Sequence, residues 1–191
     1  MKKSLGALPA VFPAPVLMVG TYDENGVPNV MNAAWGMVSD SDQITLFLAE
    51  DRKTVDNMHL TGAFTVALAD EKHMKEADYF GIATGRKTPD KFARTGLSAV
   101  KSERVNAPVI EEFPLTMECE FVEEVNSKTL HCYVGKIVNV LADEDVLDEK
   151  GKVRPEKLGA ILFDNFTSGY YTIGTRVGKA WHEGLPLHKG E

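Results

Sequence analysis

Three consecutive residues, Arg52, Lys53 and Thr54, place two cations and a hydroxyl just before a predicted helix at 54–61. The first N–H groups of a helix lack intrahelical partners, and the helix dipole favours negative charge at that end. A basic turn at a helix N-terminus therefore suits a phosphate. Taken alone, the same pattern is more typical of a solvated turn in which Thr54 caps the helix.

A second candidate feature lies in the predicted strand 28–38, which contains the segment Asn32-Ala33-Ala34-Trp35. Small residues let a flat ligand lie against the backbone, although in a strand they often mark only tight packing. Period-two counting places Asn29 and Trp35 on the same face of this strand, together with Met31, Ala33 and Met37. A ring at this strand and a phosphate at the basic turn would together predict a mononucleotide cofactor.

The sequence lacks the motifs of catalysis by protein side chains. It has no G-x-S-x-G, H-E-x-x-H, Walker or G-x-G-x-x-G pattern. Its five histidines are scattered, which does not favour a metal site, and the acidic run 143–157 lacks the spacing of a calcium loop. These features argue against a hydrolase and against acid–base catalysis by the protein's own side chains.

Length and charge limit the partners. The 191 residues suffice for one domain with a sizeable core. A formal charge of −7 disfavours nucleic acid and anionic membrane surfaces, which require a basic footprint. No stretch approaches the roughly 20 apolar residues of a membrane span. Prolines interrupt the signal-like N-terminus, so residues 1–13 are predicted to form an extended arm.

The two cysteines, Cys119 and Cys132, have no C-x-x-C spacing and no nearby histidine pair. If Asn126-Ser127-Lys128 closes a hairpin, residue 125 faces 129 and Cys119 faces Gly135. The two thiols are then out of register for a disulfide. Two buried, reduced thiols predict a cytoplasmic protein.

The order of elements predicts one α+β domain dominated by an antiparallel barrel. Predicted strands cover 16–22, 28–38, 43–48, 64–68, 114–125, 129–141 and 169–174. Besides 54–61, helices are expected after Asp70, ending at Gly81, and over the segment PDKFART at 89–95. Lys91, in this last helix, is a second basic candidate, although such a lysine is most often solvated.

The strand 129–141 is predicted to have one more apolar face, which we assign to the barrel interior. That face carries Leu130, Cys132, Val134, Val138 and Val140. The opposite face carries His131, Tyr133, Gly135, Ile137 and Asn139, so His131 is predicted to point outward. Apolar neighbours on an outside face would need a cover, which predicts a homodimer.

Four segments give the sequence a family resemblance: PAPVLMVGTYDENGVPNVMNAAWG, FLAEDRKTVDNM, GRKTPDKF and LHCYVGKIVNV. In this order, from about Pro13 to Gly178, the chain resembles the flavin reductase-like FMN-binding split-barrel proteins. The resemblance implies a mostly β fold, a β-barrel with α-helices, of the six-stranded antiparallel Greek-key split-barrel type. It also implies a single domain over 1–191, with a C-terminal tail at 179–191, that dimerises and holds FMN near the subunit interface.

The resemblance assigns cofactor contacts one by one. Asn29 and Trp35 match positions beside the flavin ring, and Ala33 and Ala34 match small residues whose backbone lies along the cofactor. The remaining matches are the phosphate turn Arg52, Lys53 and Thr54, the basic Lys91, the polar His131, and one aromatic that is either Phe163 or Phe166; Asn32 and Ala49 complete the expected set.

The function implied by the resemblance is an FMN-dependent oxidoreductase with NADH or NADPH as electron donor. No catalytic side chain is assigned, because the flavin itself carries the chemistry. Two alternatives share the same site. One is an electron carrier that exchanges electrons with a redox protein partner, and the other is a non-enzymatic binding protein for haem or free flavin.

Overall fold

The computed structural model describes residues 1–189. Its strands are β1 (Ala14–Pro15), β2 (Leu17–Tyr22), β3 (Pro28–Ala33), β4 (Gly36–Asp40), β5 (Gln43–Leu46), β6 (Ala63–Leu68), β7 (Ala99–Lys101), β8 (Pro108–Ile110), β9 (Leu115–Asn126), β10 (His131–Ala142), β11 (Ile161–Asp164) and β12 (Gly169–Thr172). Its α-helices are α1 (Lys53–Thr61), α2 (Met74–Ile82) and α3 (Leu185–Lys189), and short 3-10 turns occur at Ala93–Thr95, Glu144–Val146 and Pro155–Lys157. The last two residues of the predicted tail lie outside the described residues.

The main sheet is antiparallel and has the order β3-β2-β6-β9-β10-β5-β4. Its two outer strands, β3 and β4, follow each other along the chain and are separated only by Ala34 and Trp35. The sheet therefore returns to its own starting segment and closes as a barrel, which confirms the predicted mostly β, split-barrel fold. Seven strands are present instead of six because the predicted strand 28–38 is interrupted at these two residues.

Apolar side chains fill the barrel and also cover one outer side of it. The interior cluster includes Leu46, Phe64 and Tyr133, each fully buried. A second cluster packs α2 against the outer face of β2 and β3 through Phe80, with Phe92 stacked on its ring. A three-stranded sheet, β1-β11-β12, flanks this side.

The predicted facing of β10 was wrong. Tyr133 lies in the barrel core and Ile137 packs against it, whereas Val138 and Val140 are exposed. Gly135 lies on the face of β10 that points into the barrel, and only a glycine fits there, because an added Cβ would lie 2.2 Å from Cζ of Phe64. The hydrophobic pattern was misleading because the outer face of this strand is apolar as well.

The register of the long hairpin also differs from the prediction. Val125 pairs with Cys132, and Cys119 pairs with Ile137, because Ser127 closes a longer turn by donating its N–H to the Leu130 carbonyl. Register shifts at Val134/Gly135 and Ile137/Asn139 add to the offset. Both thiols are free and buried, so the expectation of no disulfide is confirmed.

The helices follow their predicted signals with two exceptions. Helix α1 ends at Gly62 in the left-handed conformation (φ 66°), as its sequence indicates. Helix α2 passes through Gly81 to Ile82, because Gly81 does not adopt the left-handed conformation of a glycine that ends a helix. The predicted helix 89–95 forms only the 3-10 turn Ala93–Thr95, which is too short a segment for a stable α-helix.

Within residues 1–189, no helix has the length and apolar character that crossing a membrane requires.

Candidate functional site

The N-terminus of α1, the strand β3 and the loop after α2 enclose a polar pocket of about 120 Å³. Six of the residues singled out from the sequence line this one pocket: Asn29, Asn32, Arg52, Lys53, Thr54 and Lys91. Three chain segments far apart in sequence thus meet here.

Backbone geometry prepares the helix end for an anion. Arg52 occupies the N-cap position with extended backbone angles, and its side chain does not cap the helix. The amides of Lys53 and Thr54 begin the first turn and have no intrahelical acceptor. Helix α1 therefore presents amide donors and the positive end of its dipole to the pocket.

Asn29 and Thr54 form a buried pair beside those amides. Nδ2 of Asn29 donates to Oγ1 of Thr54 at 3.0 Å, and the same amide lies 3.4 Å from the hydroxyl of Thr21. Because Oγ1 of Thr54 accepts this bond, its own O–H can still donate to a ligand in the pocket. Gly85 closes the other side of Asn29, where an added Cβ would lie 2.4 Å from its Oδ1.

Lys91 is a buried cation, only 3% exposed. Its Nζ donates to the carbonyl of Ala83 at 3.0 Å and lies 5.9 Å from the centre of the Phe80 ring. Burial, followed by the neighbouring positive charge of Arg52, lowers the pKa of Lys91 to about 8. Two neighbouring cations, one of which is buried with a neutral carbonyl as its acceptor, are an arrangement that an anion would stabilise.

Lys53 and Arg52 contribute differently. Nζ of Lys53 lies 3.5 Å from carboxylate oxygens of both Asp23 and Glu24, which already pair with its charge. The guanidinium of Arg52 is half-exposed and makes one loose contact, 3.7 Å from Asp51. Arg52 and Lys91 are therefore the side-chain cations that can serve an anion in this pocket, and Lys53 serves it through its amide.

A much larger and mostly apolar cavity, about 1000 Å³, lies along the same strand. Four further predicted residues line it: Ala34, Trp35, Ala49 and His131. The arm residues Pro9, Val11 and Pro13 form part of its wall. Ala33 does not line the cavity, because its side chain is buried in the barrel core.

His131 lies at the end of a hydrogen-bonded network at the cavity. Its Nε2 is 2.5 Å from Glu124 and 3.1 Å from the hydroxyl of Tyr133, and Glu124 also contacts Nε2 of His59 at 2.8 Å. The bond to His131, followed by that to His59, holds the pKa of the Glu124 carboxyl below its usual value. Burial, followed by the charges of Glu124 and Glu50, raises the pKa of Tyr133 to about 12.

Neither of the two aromatic candidates is among the residues that line the pocket or the cavity. Phe163 pairs with Ala14 in the side sheet and packs against Tyr170, while Phe166 is about half-exposed. Their neighbour Asn165 lines the cavity instead and donates to the carbonyl of Val11. No pattern in the sequence indicates Asn165, because the arm whose Val11 carbonyl it contacts has no regular structure.

The polar pocket and the apolar cavity are adjacent along two segments. On β3 and the bend that follows it, Asn32 lines the polar pocket and Ala34 lines the apolar cavity. In the segment before α1, Arg52 lines the polar pocket and Ala49 lines the apolar cavity. The step from Asn32 to Trp35 spans about 10 Å of extended chain. A ligand with an anionic end and a flat apolar end fits both compartments at once. Within the described part of the chain, no group of three or more metal-ligating side chains is found.

Comparison with known proteins gives one consistent result. Residues 9–173 match the flavin reductase like domain. A solved flavoredoxin of Desulfovibrio vulgaris (Miyazaki F) is 34% identical, with a TM-score of 0.91 over 96% of this chain and 100% of that one. A flavoredoxin from Methanosarcina acetivorans is 25% identical, with a TM-score of 0.87 over 97% of this chain and 100% of that one. An uncharacterised protein of Archaeoglobus fulgidus is 30% identical over 144 residues, 74% of this chain and 81% of that protein.

Proposed function

Since the chain belongs to the family of the flavin reductase like domain, we propose that it binds FMN and works as an oxidoreductase through that cofactor. The observation that carries the proposal is the joining of an anion pocket to an apolar cavity by one short strand step. FMN has one terminal phosphate and one flat ring, joined by a flexible polar chain. The similarity to flavoredoxins supports the same cofactor class.

The residues divide between the two ends of the cofactor. Arg52 and Lys91 provide charge-assisted contacts for the phosphate, and the amides of Lys53 and Thr54 provide its backbone donors. Asn29 keeps the Thr54 hydroxyl in place. A phosphate here would offset the electrostatic cost of the buried Lys91, so the residues present fit the group.

The ring end is formed by small residues and two larger side chains. Ala34 and Ala49 let the ring approach backbone, and Trp35 and His131 line the cavity beside it. Glu124 fixes the orientation of His131 through Nε2. When bound, FMN supplies hydride or single-electron transfer, and the protein positions it and excludes water around it.

Two functions share this site. The first is an enzyme that takes electrons from NADH or NADPH. The second is an electron carrier between the flavin and a redox protein partner, which the 34% identity to a flavoredoxin favours. In both, we propose a cytoplasmic homodimer, supported by the two reduced thiols and by apolar residues exposed around the cavity.

Steady-state oxidation of NADH and of NADPH, each with and without added FMN, separates the two functions. An enzyme oxidises at least one donor with multiple turnovers. A carrier shows no such turnover but is reduced by a chemical reductant and reoxidised by a protein acceptor. A protein from which no FMN can be extracted, and which does not bind added FMN, would contradict both.

A further inference from the structure

The segment after β12, from Ile173 to Lys189, carries apolar side chains that its own chain leaves exposed. Val177 is 101% exposed, Trp181 is 97% exposed and Leu187 is 87% exposed. A tryptophan is among the costliest side chains to leave in water, since it offers a large apolar area. This segment, which we call the tail, therefore has apolar surface available for another molecule.

The tail nevertheless has a defined local shape. The N–H of Lys179 donates to the Glu183 carboxylate at 3.0 Å, and the N–H of His182 donates to the Lys179 carbonyl at 3.3 Å. At the tip of this turn, Trp181 has a φ of 58°, in the left-handed region that a bulky side chain rarely adopts. Such a conformation costs free energy, and because the Trp181 side chain is exposed in its own chain, a contact from another molecule would help to stabilise it.

A matching surface exists at the outer wall of the apolar cavity. Trp35, Met37 and Val38 are all more than half exposed there. The cavity is lined by residues between Pro9 and Asn165, so the tail does not fill the cavity of its own chain.

Charge also complements this surface. The tail carries three cations, Arg176, Lys179 and Lys189, against one carboxylate, Glu183, in a chain whose net charge is −7. Glu50 and Glu124 lie beside His131 at the cavity, and Glu50 is largely exposed. Acidic groups around an apolar cavity and basic groups around an exposed tryptophan favour the same encounter.

We propose that the tail docks on the apolar cavity of a second copy of this chain, so that Trp181 of each subunit covers the flavin-ring site of the other. A two-fold dimer makes this exchange reciprocal. The chain from Thr172 to Trp181 can span up to about 30 Å, which is sufficient to reach a neighbouring subunit. The inference rests on the homodimer of the proposed function and adds that each ring site is completed by the partner.

Cross-linking between two variants that each carry one added cysteine tests the exchange. Ala180→Cys places a thiol next to Trp181 without removing it, and Met37→Cys places one at the cavity wall. Both positions are exposed, whereas Cys119 and Cys132 are buried, and burial raises the pKa of the Cys119 thiol to about 12, which keeps it unreactive. The variants carry different tags, are mixed to allow subunit exchange, and are oxidised mildly.

The expected result is a disulfide-linked pair containing one copy of each variant. Lys101→Cys, an exposed position on β7 away from the cavity, should give no pair with Ala180→Cys. Absence of the mixed pair overturns the exchange, as does an equal yield with the Lys101→Cys control. Light scattering on the same samples distinguishes the cases: a dimer without the mixed pair refutes only the tail exchange, and a monomer refutes the proposed dimer as well.

Discussion

The environment of Lys91 is electrostatically unfavourable for a charged ammonium unless an anion is bound nearby. Its ammonium is removed from water and receives one neutral acceptor, the carbonyl of Ala83, while Arg52 adds positive charge nearby. An isolated buried ammonium is costly, and the lowered pKa expresses this cost. Phosphate binding would favour the charged form and raise that pKa again.

This linkage predicts a pH-dependent affinity for FMN. Below about pH 8 Lys91 is protonated in the ligand-free protein, so its titration leaves the affinity unchanged. Above that pH, binding must take up a proton, and the dissociation constant should rise by up to about tenfold per pH unit. Titrations of FMN between about pH 7 and pH 9 measure this. Lys91→Arg, which stays charged, should remove the dependence; an unchanged slope in that variant would count against the assignment.

The two adjacent cations of the turn should behave differently. Arg52→Ala loses a charge-assisted contact and should weaken FMN about ten- to a hundredfold. Lys53→Ala should have a smaller effect, because the ammonium of Lys53 already pairs with Asp23 and Glu24. Fluorescence titration of both variants gives the comparison. If Lys53→Ala costs more affinity than Arg52→Ala, the division of roles between side chain and amide is wrong.

The sequence predicts which basic residues belong to the site but not the groups that each of them contacts. The basic turn and its helix are local, and the structure has both where the sequence places them. That Lys53 pairs with the β2–β3 turn, and that Lys91 is buried under α2, depends on contacts between distant segments. Period-two counting cannot supply such contacts.

At the scale of the element, the bend between β3 and β4 is the feature that creates the site. The strand leaves β2 after Ala33 and joins β5 from Gly36 onward, while the carbonyl of Trp35 accepts from the N–H of Phe47. The two residues at the bend, Ala34 and Trp35, both line the cavity. The sequence predicted a strand here but not its interruption, because Ala34 and Trp35 carry no turn signal.

Strand β10 shows the opposite limit. Both of its faces are apolar, so periodicity alone assigned the wrong one to the interior, and the decisive residue is a glycine with no hydrophobic signal. Gly135 is required because Phe64 occupies the space where its side chain would lie.

Gly135→Ala should therefore destabilise the fold. Overpacking a core typically costs about 1–3 kcal/mol, and the upper end applies here because the aromatic ring is fully buried and cannot move away easily. Urea denaturation measures the loss in free energy of unfolding. Gly174→Ala, where an added Cβ meets no atom within 4 Å, is the matched control and should be nearly neutral. Equal stability of the two variants would contradict the observed facing of β10.

For the whole molecule, one group of exposed apolar residues lies on the bend before β4, on β4, and on or beside β10. The sequence-based reason for a dimer named Tyr133 and Ile137, but these two face the core. The exposed set is different: Trp35, Met37, Val38, Leu130, Val138 and Val140. A dimer is still proposed, but its interface would be formed by these exposed residues and not by Tyr133 and Ile137.

A charge placed on that surface should disrupt the dimer. Val38→Glu introduces a carboxylate with no partner into the proposed interface and should raise the dimer dissociation constant at least about a hundredfold. Val100→Glu on β7, another exposed valine in a strand, should leave it unchanged. Light scattering over a dilution series measures both. Equal dissociation constants for the two variants would place the interface elsewhere.

The most direct test of this two-compartment FMN site is to titrate the ligand-free protein with FMN and with riboflavin, which lacks the phosphate. If the phosphate lies in the polar pocket and the ring in the apolar cavity, riboflavin should bind wild-type protein about ten- to a hundredfold more weakly than FMN. Arg52→Ala should reduce that difference, and Trp35→Ala should weaken both ligands by similar factors. Equal affinities of wild-type protein for FMN and riboflavin, or no binding of either, would contradict the proposed site.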